Sequence, residues 1–332
     1  MNIQHNIQLK PYNSFKTSAK AKLFCEPTTV DELCEIVKHH SHEKKLVLGG
    51  GYNLFFTKDY DGLVIHPQLK GTKICYEDDN VVEIEANASE NWDDFVAHCV
   101  ANNYAGIENL SLIPSSVGAA PVQNIGAYGT EVEEVITLVK TVHIETGEQK
   151  DFTNEMCEFG YRDSIFKRTG KYIITSVVFR LKKEFTYKQK YIDVVNHLAG
   201  IESPTMKDVR NAVVMIRTSK LPDSDVLPNA GSFFKNPFLT YKEKENLLKL
   251  LPNATIHKVD ESCFKTSAAF LIDKAGFKNR RNNMVGTYEH HSLIIVNYGT
   301  EKGTDILDFV KQIQQSVQSQ FKIWLEPEVR IY

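Results

Sequence analysis

Residues 111–129 read SLIPSSVGAAPVQNIGAYG, and this run of small residues decides the fold prediction. Pro114 and Pro121 argue against a long helix, and the glycines and alanines around them let the backbone turn sharply with its amides uncovered. The side-chain amides of Gln123 and Asn124 add hydrogen-bond donors and acceptors at the same place. The stretch therefore predicts a loop against whose backbone another molecule lies.

A second loop of small residues, Gly49-Gly50-Gly51-Tyr52-Asn53, directly follows the apolar segment 46–48. It lacks the third glycine of the dinucleotide fingerprint GxGxxG, and the chain has no P-loop motif. A tight structural turn explains these glycines about as well as a ligand site does, although runs of backbone N–H groups are able to bind anions. The presence of two such loops favours a ligand and predicts a surface for a flat, phosphate-bearing cofactor.

Length and charge limit the class of protein. A chain of 332 residues predicts two or three lobes. The net charge is −3 with both signs mixed along the chain, which argues against a nucleic-acid-binding protein because such a protein carries a basic stripe. The chain has no uninterrupted apolar run of about 18 residues to span a membrane, and its N-terminus, MNIQHNIQLK, lacks the features of a signal peptide. We therefore expect a cytoplasmic protein that is not inserted in a membrane.

The cysteines argue against a metal or redox centre. All six are scattered and no CxxC pair occurs, so their spacing does not fit a zinc site or a dithiol motif, and we expect no bound metal. Cys99 falls on the apolar face of a predicted helix, where a buried, reduced thiol is expected.

The apolar pattern predicts strands that alternate with helices, which is typical of α/β and α+β proteins. Strands are predicted over 46–48, 62–66, 81–86, 135–144, 172–181, 293–298 and 322–331. Helix caps are predicted at Thr29, Ser89, Thr240 and Thr304, and a further helix is predicted from Ser267 to Ala275, ending at Gly276. The turn at 146–148 is expected to join the strands at 135–144 and 172–181, and the polar segment 221–225 is the predicted domain boundary.

Three further segments contain residues suited to chemistry. In FGYRDS (159–164), the guanidinium of Arg162 suits a carboxylate or phosphate, but a surface ion pair with the next aspartate explains the segment equally well. In NAGSFFKNP (229–237), Ser232 is either a proton donor in a partly apolar pocket or part of a strand-end turn, and the lack of a GxSxG motif argues against a hydrolase nucleophile. In LEPEVR (325–330), alternation places Glu326, Glu328 and Arg330 on one face of a strand, which is usually a solvated edge.

Taken in order along the chain, these segments resemble those of the UDP-N-acetylenolpyruvoylglucosamine reductases, the flavoenzymes of bacterial cell-wall precursor synthesis. The resemblance runs from Asn13-Ser14-Phe15 to Glu328-Val329-Arg330. It includes GGGYNLF (49–55), IPSSVGAAPVQNIGAYG (113–129), FGYRDSIFK (159–167), SKLPD (219–223), NAGSFFKNP (229–237) and LEPEVR (325–330). The first two are shared with the wider vanillyl-alcohol-oxidase-type FAD-binding fold, and the last four are specific to the reductases.

The resemblance implies an α+β fold with α/β elements, in which a two-lobed FAD-binding domain of the vanillyl-alcohol-oxidase type accompanies a C-terminal α/β substrate-binding domain. The expected ranges are 1–68 for the first FAD lobe, joined by the C-terminal strand near 325–332, 69–219 for the second lobe and 220–324 for the substrate domain. The segment between Lys183 and Pro204 resembles the tyrosine loop of the longer family type, in which a tyrosine folds over bound nucleotide. Tyr191 is the tyrosine expected to do so here.

The resemblance also implies the activity, which is NADPH-dependent reduction of UDP-N-acetylglucosamine enolpyruvate to UDP-N-acetylmuramate through FAD. We expect non-covalent FAD, because Tyr52 and Asn53 occupy the segment in which many related oxidases carry a FAD-linked histidine. We also expect a monomer that acts on small molecules. Arg162 is expected to stabilise negative charge on the substrate and Ser232 to donate a proton. Glu328 is expected to be protonated, or to share a proton with the substrate carboxylate, in the reactive complex.

The remaining site residues follow from matches to the family motifs. Those expected to bind FAD are Gly49, Gly50, Gly51, Tyr52, Asn53, Leu54, Pro114, Ser115, Ser116, Gly118, Ala119, Gln123, Asn124, Gly126 and Ala127. Those expected to bind the UDP-sugar or the dinucleotide are Tyr128, Tyr161, Tyr191, Arg217, Lys220, Asn236 and His291.

The chain departs from the family pattern in three places. Ser115 stands where the family usually has glycine, Lys16 follows Asn-Ser-Phe where glycine is common, and the chain stops at Tyr332 without the usual glycine-containing tail. Two competing interpretations are another FAD-dependent oxidase or dehydrogenase with the same cofactor fold, and a flavin-free binding protein. The presence of Arg162, Ser232 and Glu328 argues against the second.

Overall fold

The computed structural model of the chain describes residues 2–188 and 191–332. The chain divides into two compact units, each assembled from separate segments. The first unit comprises Met1–Ile7, Ala21–Gly50 and Asp61–Ser219, and the second comprises Gln8–Lys20, Gly51–Tyr60 and Lys220–Tyr332. Both units mix helices with strands, which confirms the predicted α+β class. The finer division into lobes at 1–68 and 69–219 and a substrate domain at 220–324 stays a prediction.

The strands and helices have the following bounds. The strands are β1 (Gln4–Gln8), β2 (Lys20–Cys25), β3 (Lys45–Val47), β4 (Leu54–Phe55), β5 (Tyr60–Ile65), β6 (Thr72–Glu77), β7 (Val81–Asn87), β8 (Gly126–Ala127), β9 (Thr130–Glu131), β10 (Ile136–His143), β11 (Gln149–Thr153), β12 (Tyr172–Lys182), β13 (Asn229–Ser232), β14 (Phe238–Thr240), β15 (Ile256–Lys258), β16 (Cys263–Thr266), β17 (Arg281–Asn282), β18 (Val285–Tyr288), β19 (His291–Asn297) and β20 (Arg330–Ile331). The α-helices are α1 (Val30–His39), α2 (Trp92–Ala101), α3 (Ile165–Thr169), α4 (Ile192–His197), α5 (Met206–Lys220), α6 (Tyr241–Leu250), α7 (Ala268–Ile272) and α8 (Gly303–Phe321). Short 3₁₀ turns lie at Lys10–Tyr12, Glu108–Leu110, Val117–Ala119, Pro121–Gln123, Val132–Glu134 and Glu155–Cys157, and a π-helical turn lies at Asp273–Phe277.

A four-stranded sheet with the strand order β1-β2-β5-β3 forms one part of the first unit. Strands β3 and β5 pair in parallel, and helix α1 lies between β2 and β3 in the sequence. Helix α1 buries Leu33, Ile36 and Val37 in the same core as the sheet. The hydroxyl of Thr29 accepts a hydrogen bond of 3.1 Å from the amide of Glu32, which confirms the predicted cap of this helix.

A five-stranded antiparallel sheet with the order β11-β10-β12-β7-β6 forms the other part of the first unit. Helix α2 contributes Trp92 and Phe95 to the core of this sheet, and the ring of Phe95 lies 5.0 Å from that of Phe179 in β12. The indole N–H of Trp92 donates to the carbonyl oxygen of Leu110 at 2.8 Å, so the buried ring has a polar partner. Cys99 is a fully buried free cysteine, which confirms the expected buried, reduced thiol, and its burial raises the pKa of the thiol to about 12.

The predicted cap of helix α2 is wrong by two residues. The hydroxyl of Ser89 donates to Pro67 at 2.6 Å and accepts from the amide of Leu69 at 3.0 Å, so it is engaged with the preceding loop. The side chain of Asn91 caps the helix and accepts from the amide of Asp94 at 3.1 Å. Serine and asparagine cap helices about equally well, so the residue type alone does not decide between them.

The predicted connection through the turn at 146–148 is also wrong. This turn joins β10 to β11, which pair antiparallel with Val142 opposite Gln149. Strand β11 was missed because Phe152 is the one buried residue among its five, so it shows little apolar alternation. Strand β12 pairs with the other side of β10.

The second unit has its own core around helix α8. The predicted apolar face of this helix is confirmed, since Ile306, Phe309, Val310, Ile313, Val317 and Phe321 are all buried. This core also includes side chains of the sheet β13-β19-β18-β17, and a second sheet has the order β14-β16-β15. The predicted capping box of Thr240 and Glu243 is present at the start of α6. The hydroxyl of Ser267, the first residue of the predicted helix 267–275, caps α7.

Two predictions for the second unit are corrected by the structure. Helix α8 begins at Gly303 with Lys302 at its N-cap, so Thr304 lies inside the helix and is not its cap. The predicted strand 322–331 is a strand only at Arg330–Ile331, which pairs in parallel with Leu54–Phe55. Lys322 has a left-handed φ of 62°, and Pro327 has no amide N–H to donate, so most of this segment does not continue a ladder.

No helix in the described part of the chain is both long enough and apolar enough to cross a membrane.

Candidate active site

Within the first unit, Gly49 of the first predicted cofactor loop contacts the second loop. A Cβ atom added to Gly49 would lie 3.1 Å from Ser116 Oγ and 3.8 Å from the Cβ of Ala119, so the loops are in close contact. A Cβ atom added to Gly118 would lie 2.5 Å from the Cβ of Ala88, which leaves no room for a side chain. The small residues are therefore required by packing as well as suited to a ligand.

Hydrogen bonds hold the second loop to the residues just before helix α2. The amide of Val117 donates to Glu90 at 2.9 Å, and the amide of Trp92 donates to the carbonyl of Ser115 at 3.1 Å. Ser115 is not among the residues with positive φ. A side chain at this position carries no left-handed strain, so the departure from the usual glycine is tolerated by the backbone.

Asn124 is fully buried and has a left-handed φ of 44°, a conformation that asparagine adopts more readily than most residues. Its side chain faces the protein: Nδ2 donates to Glu131 Oε2 at 2.9 Å, and Oδ1 accepts from the amide of Glu133 at 3.1 Å. The neighbouring Gln123 Oε1 accepts from Lys167 Nζ at 3.5 Å. The structure thus gives both amide side chains roles in holding the loop.

Arg162 lies at the tip of a tight hairpin in the first unit. Gly160 and Asp163 exchange two backbone hydrogen bonds of 3.1 Å each, which leaves Tyr161 and Arg162 as the two residues of the turn. Arg162 has a left-handed φ of 54°, and its guanidinium carbon lies 5.1 Å from the centre of the Tyr161 ring. The carboxylate of Asp163 pairs with Arg168 and not with Arg162, so the surface pair considered for Arg162 is not formed.

The guanidinium of Arg162 points to the end of the second cofactor loop. Its Nη2 donates to the carbonyl of Gly126 at 2.7 Å, and its Nη1 donates to the carbonyl of Asn124 at 3.3 Å and to Glu131 Oε1 at 3.3 Å. A Cβ atom added to Gly126 would lie 3.0 Å from Arg162 Nη1, so glycine is needed for this approach. The side chain of Arg162 is 20% exposed.

Three residues predicted to bind substrate lie together in the same unit. Tyr128 and Gly129 form the two-residue turn between β8 and β9, with φ values of 50° and 82°. The Tyr128 ring lies 5.2 Å from the ring of Tyr191, which precedes helix α4, and the two rings are nearly perpendicular. Burial lowers the pKa of Arg217 in helix α5, and a hydrogen bond with Tyr128 acts in the opposite direction.

Asp93 connects helices α2 and α5 to the segment that leads into the second cofactor loop. Its carboxylate accepts hydrogen bonds of 2.7 and 2.9 Å from the two Nη atoms of Arg210 and of 2.5 Å from the amide of Leu112. Leu112 has a left-handed φ of 57°, and its carbonyl accepts from Arg217 Nε at 3.1 Å. Burial raises the pKa of the Asp93 carboxyl, but the bonds from Arg210 and Leu112 outweigh this effect and the pKa is lowered.

In the second unit, Ser232 ends strand β13 and is exposed. Ser232 pairs with Ile294 of β19, and the amide of Phe233 donates to the carbonyl of Leu293 at 2.8 Å. The side chains of Phe233 and Phe234 are buried in the core of this unit. The backbone at Ser232 is therefore held in place by strand pairing and by the packing of the residues that follow it.

The chain segment at Glu328 lies beside Ser232. The amide of Glu328 donates to the carbonyl of Phe233 at 2.7 Å, and the carbonyl of Glu328 accepts from Asn53 Nδ2 at 3.3 Å. The amide of Arg330 in turn donates to the carbonyl of Asn53 at 3.0 Å. The second unit thus brings together a residue of the first cofactor loop and two of the predicted catalytic residues.

The other predicted residues of the second unit have different surroundings. Burial lowers the pKa of His291, while Asp273 raises it and Lys220 lowers it, and His291 Nδ1 is a buried atom without a hydrogen-bond partner among the described residues. Asn236 Oδ1 accepts from the amide of Ala268 at 2.9 Å, at the start of helix α7. Burial raises the pKa of Tyr52, and Asp225 and Asp223 raise it further.

The two loops fit an FAD cofactor. Among residues 2–188 and 191–332, the amide N–H groups of Gly49 and Gly50 donate to no protein acceptor, so they are available to phosphate oxygens. In the second unit, Gly51 has a left-handed φ of 72°, and a Cβ atom added to it would lie 2.1 Å from the carbonyl oxygen of Tyr12, so the turn requires glycine. In the same described ranges, no group of three His, Cys, Asp or Glu side chains is placed to hold a metal ion.

Comparisons with known proteins give matches that cover the whole chain. The family model for an FAD binding domain matches residues 21–153, and the model for the C-terminal domain of UDP-N-acetylenolpyruvoylglucosamine reductase matches residues 222–332. The reductase of Flavobacterium johnsoniae is 47% identical, with full coverage of both chains. Those of Amoebophilus asiaticus and Chromobacterium violaceum are 41% and 40% identical, over 100% and 97% of this chain and 99% and 97% of theirs. The chain belongs to the UDP-N-acetylenolpyruvoylglucosamine reductase family.

The fold agrees with this membership. The crystal structure of the Thermus caldophilus reductase superposes with a TM-score of 0.69 at 22% identity and covers 100% of this chain and 99% of its own. Membership in the reductase family confirms the predicted fold class and FAD as the cofactor, and it makes the chain an oxidoreductase that acts on small molecules.

Two residues that contact the candidate site were not predicted from the sequence. Glu131 follows the Tyr128-Gly129 turn and contacts Arg162, but nothing in the sequence separates it from the carboxylates of Glu133 and Glu134. Asp93 lies in the first turn of a helix, where an acidic residue is already favoured by the helix dipole. Its contact with Leu112 depends on tertiary structure and leaves no local signal.

Proposed function

We propose that Arg162, Ser232 and Glu328 carry out the second half of the family's reaction, in which UDP-N-acetylglucosamine enolpyruvate is reduced to UDP-N-acetylmuramate. Membership in the reductase family assigns this overall reaction to the chain, with FAD as cofactor and NADPH as electron donor. The reaction is a step of peptidoglycan precursor synthesis. FAD, held by the loops at 49–54 and 114–127, would supply the hydride-transfer chemistry between NADPH and the enolpyruvyl group. The protein binds and orients the substrates and manages charge and protons.

Arg162 is the residue proposed to stabilise negative charge. A hydride that arrives at the methylene carbon of the enolpyruvyl ether leaves negative charge on the neighbouring carbon and its carboxylate. A guanidinium that is already held in place stabilises this charge without reorganising as it develops. Hydrogen bonds from Arg162 to Gly126, Asn124 and Glu131 support this role because they fix the group before the substrate binds.

Ser232 is proposed to deliver a proton to the carbon that carries the negative charge. A hydroxyl is a weak acid, so it serves as a donor only when it is held close to a strongly basic acceptor. The exposure of Ser232 and the buried phenylalanines that follow it support this role, since the residue is accessible and its backbone is held in place.

Glu328 is proposed to bind a proton, or to share one with the substrate carboxylate, in the reactive complex. An ionised carboxylate beside a developing dianion would destabilise it by repulsion between like charges. The observation that carries the proposal for this unit is the 2.7 Å hydrogen bond from the Glu328 amide to Phe233, which keeps Glu328 beside the segment of Ser232.

The binding roles predicted from the family motifs remain proposals. We propose that Tyr128, Tyr191 and Arg217 contact the UDP part of the substrate or the dinucleotide, and their contacts with one another within the first unit support a shared site. Tyr161 in the first unit, and Lys220, Asn236 and His291 in the second, are also proposed to bind the UDP-sugar or the dinucleotide. The FAD contacts proposed for the two small-residue loops, at 49–54 and 114–127, are supported by the approach of Gly49 to Ser116.

Further proposals concern the cellular and physical form of the enzyme. We propose a cytoplasmic enzyme, because UDP-sugars and NADPH are small molecules of the cytoplasm. We also propose a monomer with non-covalently bound FAD that neither binds nucleic acid nor inserts in a membrane. Acid precipitation that leaves the yellow colour in the supernatant, and a mass of one chain in solution, are the expected results.

An anaerobic titration tests the reaction. The purified protein is expected to be yellow, to be bleached by one equivalent of NADPH, and to regain its colour on addition of UDP-N-acetylglucosamine enolpyruvate with formation of UDP-N-acetylmuramate. UDP-N-acetylmuramate added in place of the substrate is the control and is expected to restore no colour. Return of colour only with oxygen would favour an oxidase, and a colourless protein with no affinity for FAD would favour a binding protein.

A further inference from the structure

We propose that Glu131 is a positioning residue for Arg162, whose guanidinium it holds in the orientation that the second half-reaction needs. This inference rests on the proposed function, since it assigns Glu131 a role only through the role of Arg162. Glu131 lies in β9, opposite Gly126 of β8, just after the turn formed by Tyr128 and Gly129.

The contacts of Glu131 reach both Arg162 and the loop behind it. Glu131 Oε1 lies 3.3 Å from Arg162 Nη1, and Oε2 accepts from Asn124 Nδ2 at 2.9 Å. The carbonyl of Asn124 also accepts a hydrogen bond of 3.3 Å from Arg162 Nη1. One carboxylate therefore links the guanidinium to the buried asparagine that shapes the end of the small-residue loop.

The backbone of Glu131 is fixed independently of its carboxylate contact with Arg162. Its amide donates to Glu134 Oε1 at 2.8 Å, and a capping box formed by these two residues starts the turn Val132–Glu134. The side chain of Glu131 is 32% exposed and that of Arg162 is 20% exposed, so the pair is only partly solvated. Burial raises the pKa of Glu131, Arg162 opposes this effect, and Glu133 adds to it.

These contacts restrict how the guanidinium moves. Arg162 is at a hairpin tip in a left-handed conformation, and a long side chain at such a tip has several rotamers when nothing holds it. Three of its acceptors, two carbonyls and one carboxylate, hold it against these rotations. The carboxylate is the one charged acceptor among these three, and hydrogen bonds between charged groups are the stronger ones. Removing this charge is expected to loosen the guanidinium without removing it.

Single-turnover kinetics of Glu131→Gln test the proposal. Enzyme reduced with one equivalent of NADPH is mixed anaerobically with UDP-N-acetylglucosamine enolpyruvate, and the limiting rate of flavin reoxidation is measured together with the substrate Kd. We expect the limiting rate to fall about tenfold, the scale of a small misplacement of a positioned group. The Kd is expected not to rise by more than about twofold, because the positive charge of Arg162 is retained. The rate of flavin reduction by NADPH is expected to stay within about twofold of the unmodified enzyme.

Glu134→Gln is the matched control. Glutamine at 134 keeps an oxygen that accepts from the Glu131 amide while it removes one negative charge three residues away, so both half-reactions are expected to be unchanged. Equal slowing of both half-reactions by Glu131→Gln, or loss of FAD, would show a general structural role and overturn the proposal.

The variant Arg162→Lys separates this inference from the proposed function. If Arg162→Lys slows reoxidation, Glu131→Gln is expected to add no more than about twofold in that background, because the two residues act as one unit. An undiminished tenfold effect of Glu131→Gln in the Arg162→Lys background would contradict the positioning role. If Arg162→Lys itself leaves reoxidation unchanged, the proposed role of Arg162 fails and the positioning role fails with it.

Discussion

The backbone amide of Glu328 donates a hydrogen bond of 2.7 Å to the carbonyl oxygen of Phe233, the residue that follows Ser232. The pairing of Phe234 with Pro327 and the bond of 2.9 Å from the Lys235 amide to Glu326 extend this contact. Two segments separated by more than ninety positions in the sequence therefore lie side by side within the second unit. Main-chain bonds set their register, so changing either side chain is expected to leave the segments in place.

Ser232→Ala is therefore expected to affect chemistry and not structure. It should slow reoxidation of reduced enzyme by UDP-N-acetylglucosamine enolpyruvate by roughly 10²–10⁴-fold, the scale of a lost general acid. Flavin reduction by NADPH should change little, because that step needs no proton at the substrate carbon. Stopped-flow absorbance measures both steps, and Ser262→Ala, which removes an exposed hydroxyl from the same unit, is the control. Equal impairment of the two steps would argue against a proton-donating Ser232.

Asp93→Asn is expected to destabilise the protein and weaken FAD binding. The asparagine is uncharged and cannot accept from Arg210 and from the Leu112 amide in the same way, while Leu112 stays in its left-handed conformation. Removing the charge of one partner in a partly buried ion pair is expected to lower the free energy of unfolding by about 2 kcal/mol. Urea denaturation and flavin-fluorescence titration measure the two effects.

The neighbouring Asp94→Asn provides the comparison for Asp93. Asp94 is exposed in the same helix turn, so its replacement is expected to cost no more than about 0.5 kcal/mol, the helix-dipole contribution of a surface carboxylate. If both variants lose the same stability and the same FAD affinity, the contact of Asp93 with Leu112 is not what stabilises the loop.

Much of this organisation could be predicted from the sequence, and the failures have physical reasons. The small-residue loops were predictable because close packing, as at Gly118 against Ala88, excludes larger side chains and leaves a visible composition. The cap at Ser89 and the strand at 322–331 were predicted wrongly because local preference is shared by several residue types and is overridden by tertiary hydrogen bonds. The contact of Glu131 with Arg162 joins residues that are far apart in the sequence and leaves no periodic pattern.

Lys16→Gly is expected to stabilise the protein. Lys16 has a left-handed φ of 56°, which glycine adopts without strain, and its amide donates to the carbonyl of Asn13 at 3.0 Å. Relief of the left-handed strain stabilises the folded state, and the larger backbone entropy of glycine in the unfolded chain offsets part of this effect. The free energy of unfolding is expected to rise by about 0.5–1 kcal/mol. Lys20→Gly at the start of β2 is the control. Its free energy of unfolding should fall by about the same amount, because an extended residue has no left-handed strain for glycine to relieve. Equal losses for both variants in urea denaturation would contradict the strain at Lys16.

Glu85 in β7 is expected to make stability depend on acid pH. Its carboxylate accepts from Ser176 Oγ at 2.6 Å, from Lys140 Nζ at 3.0 Å, and lies 3.1 Å from Lys73 Nζ. Burial raises the pKa of Glu85, but the bonds from Ser176, Lys140 and Lys73 outweigh it and lower the pKa to about 2 from the ordinary 4.5. A lowered pKa in the folded state means that the stabilisation is fully present above pH 4.5 and is lost as the pH falls towards 2.

The size of this effect follows from the same shift. Between pH 7 and about pH 3.5 the unfolded state takes up the proton first, which removes up to about 1.4 kcal/mol. Because the Lys73 side chain is 67% exposed, solvent screening reduces the expected loss to about 1 kcal/mol. Urea unfolding of Glu85→Gln should lack this component, so the difference in unfolding free energy between the two proteins should shrink by that amount on acidification. Glu83→Gln leaves the Glu85 network intact and should retain the pH dependence of the unmodified enzyme. An unchanged difference between the unmodified enzyme and Glu85→Gln from pH 7 to 3.5 would mean that the carboxylate gains nothing from its lysine and serine partners.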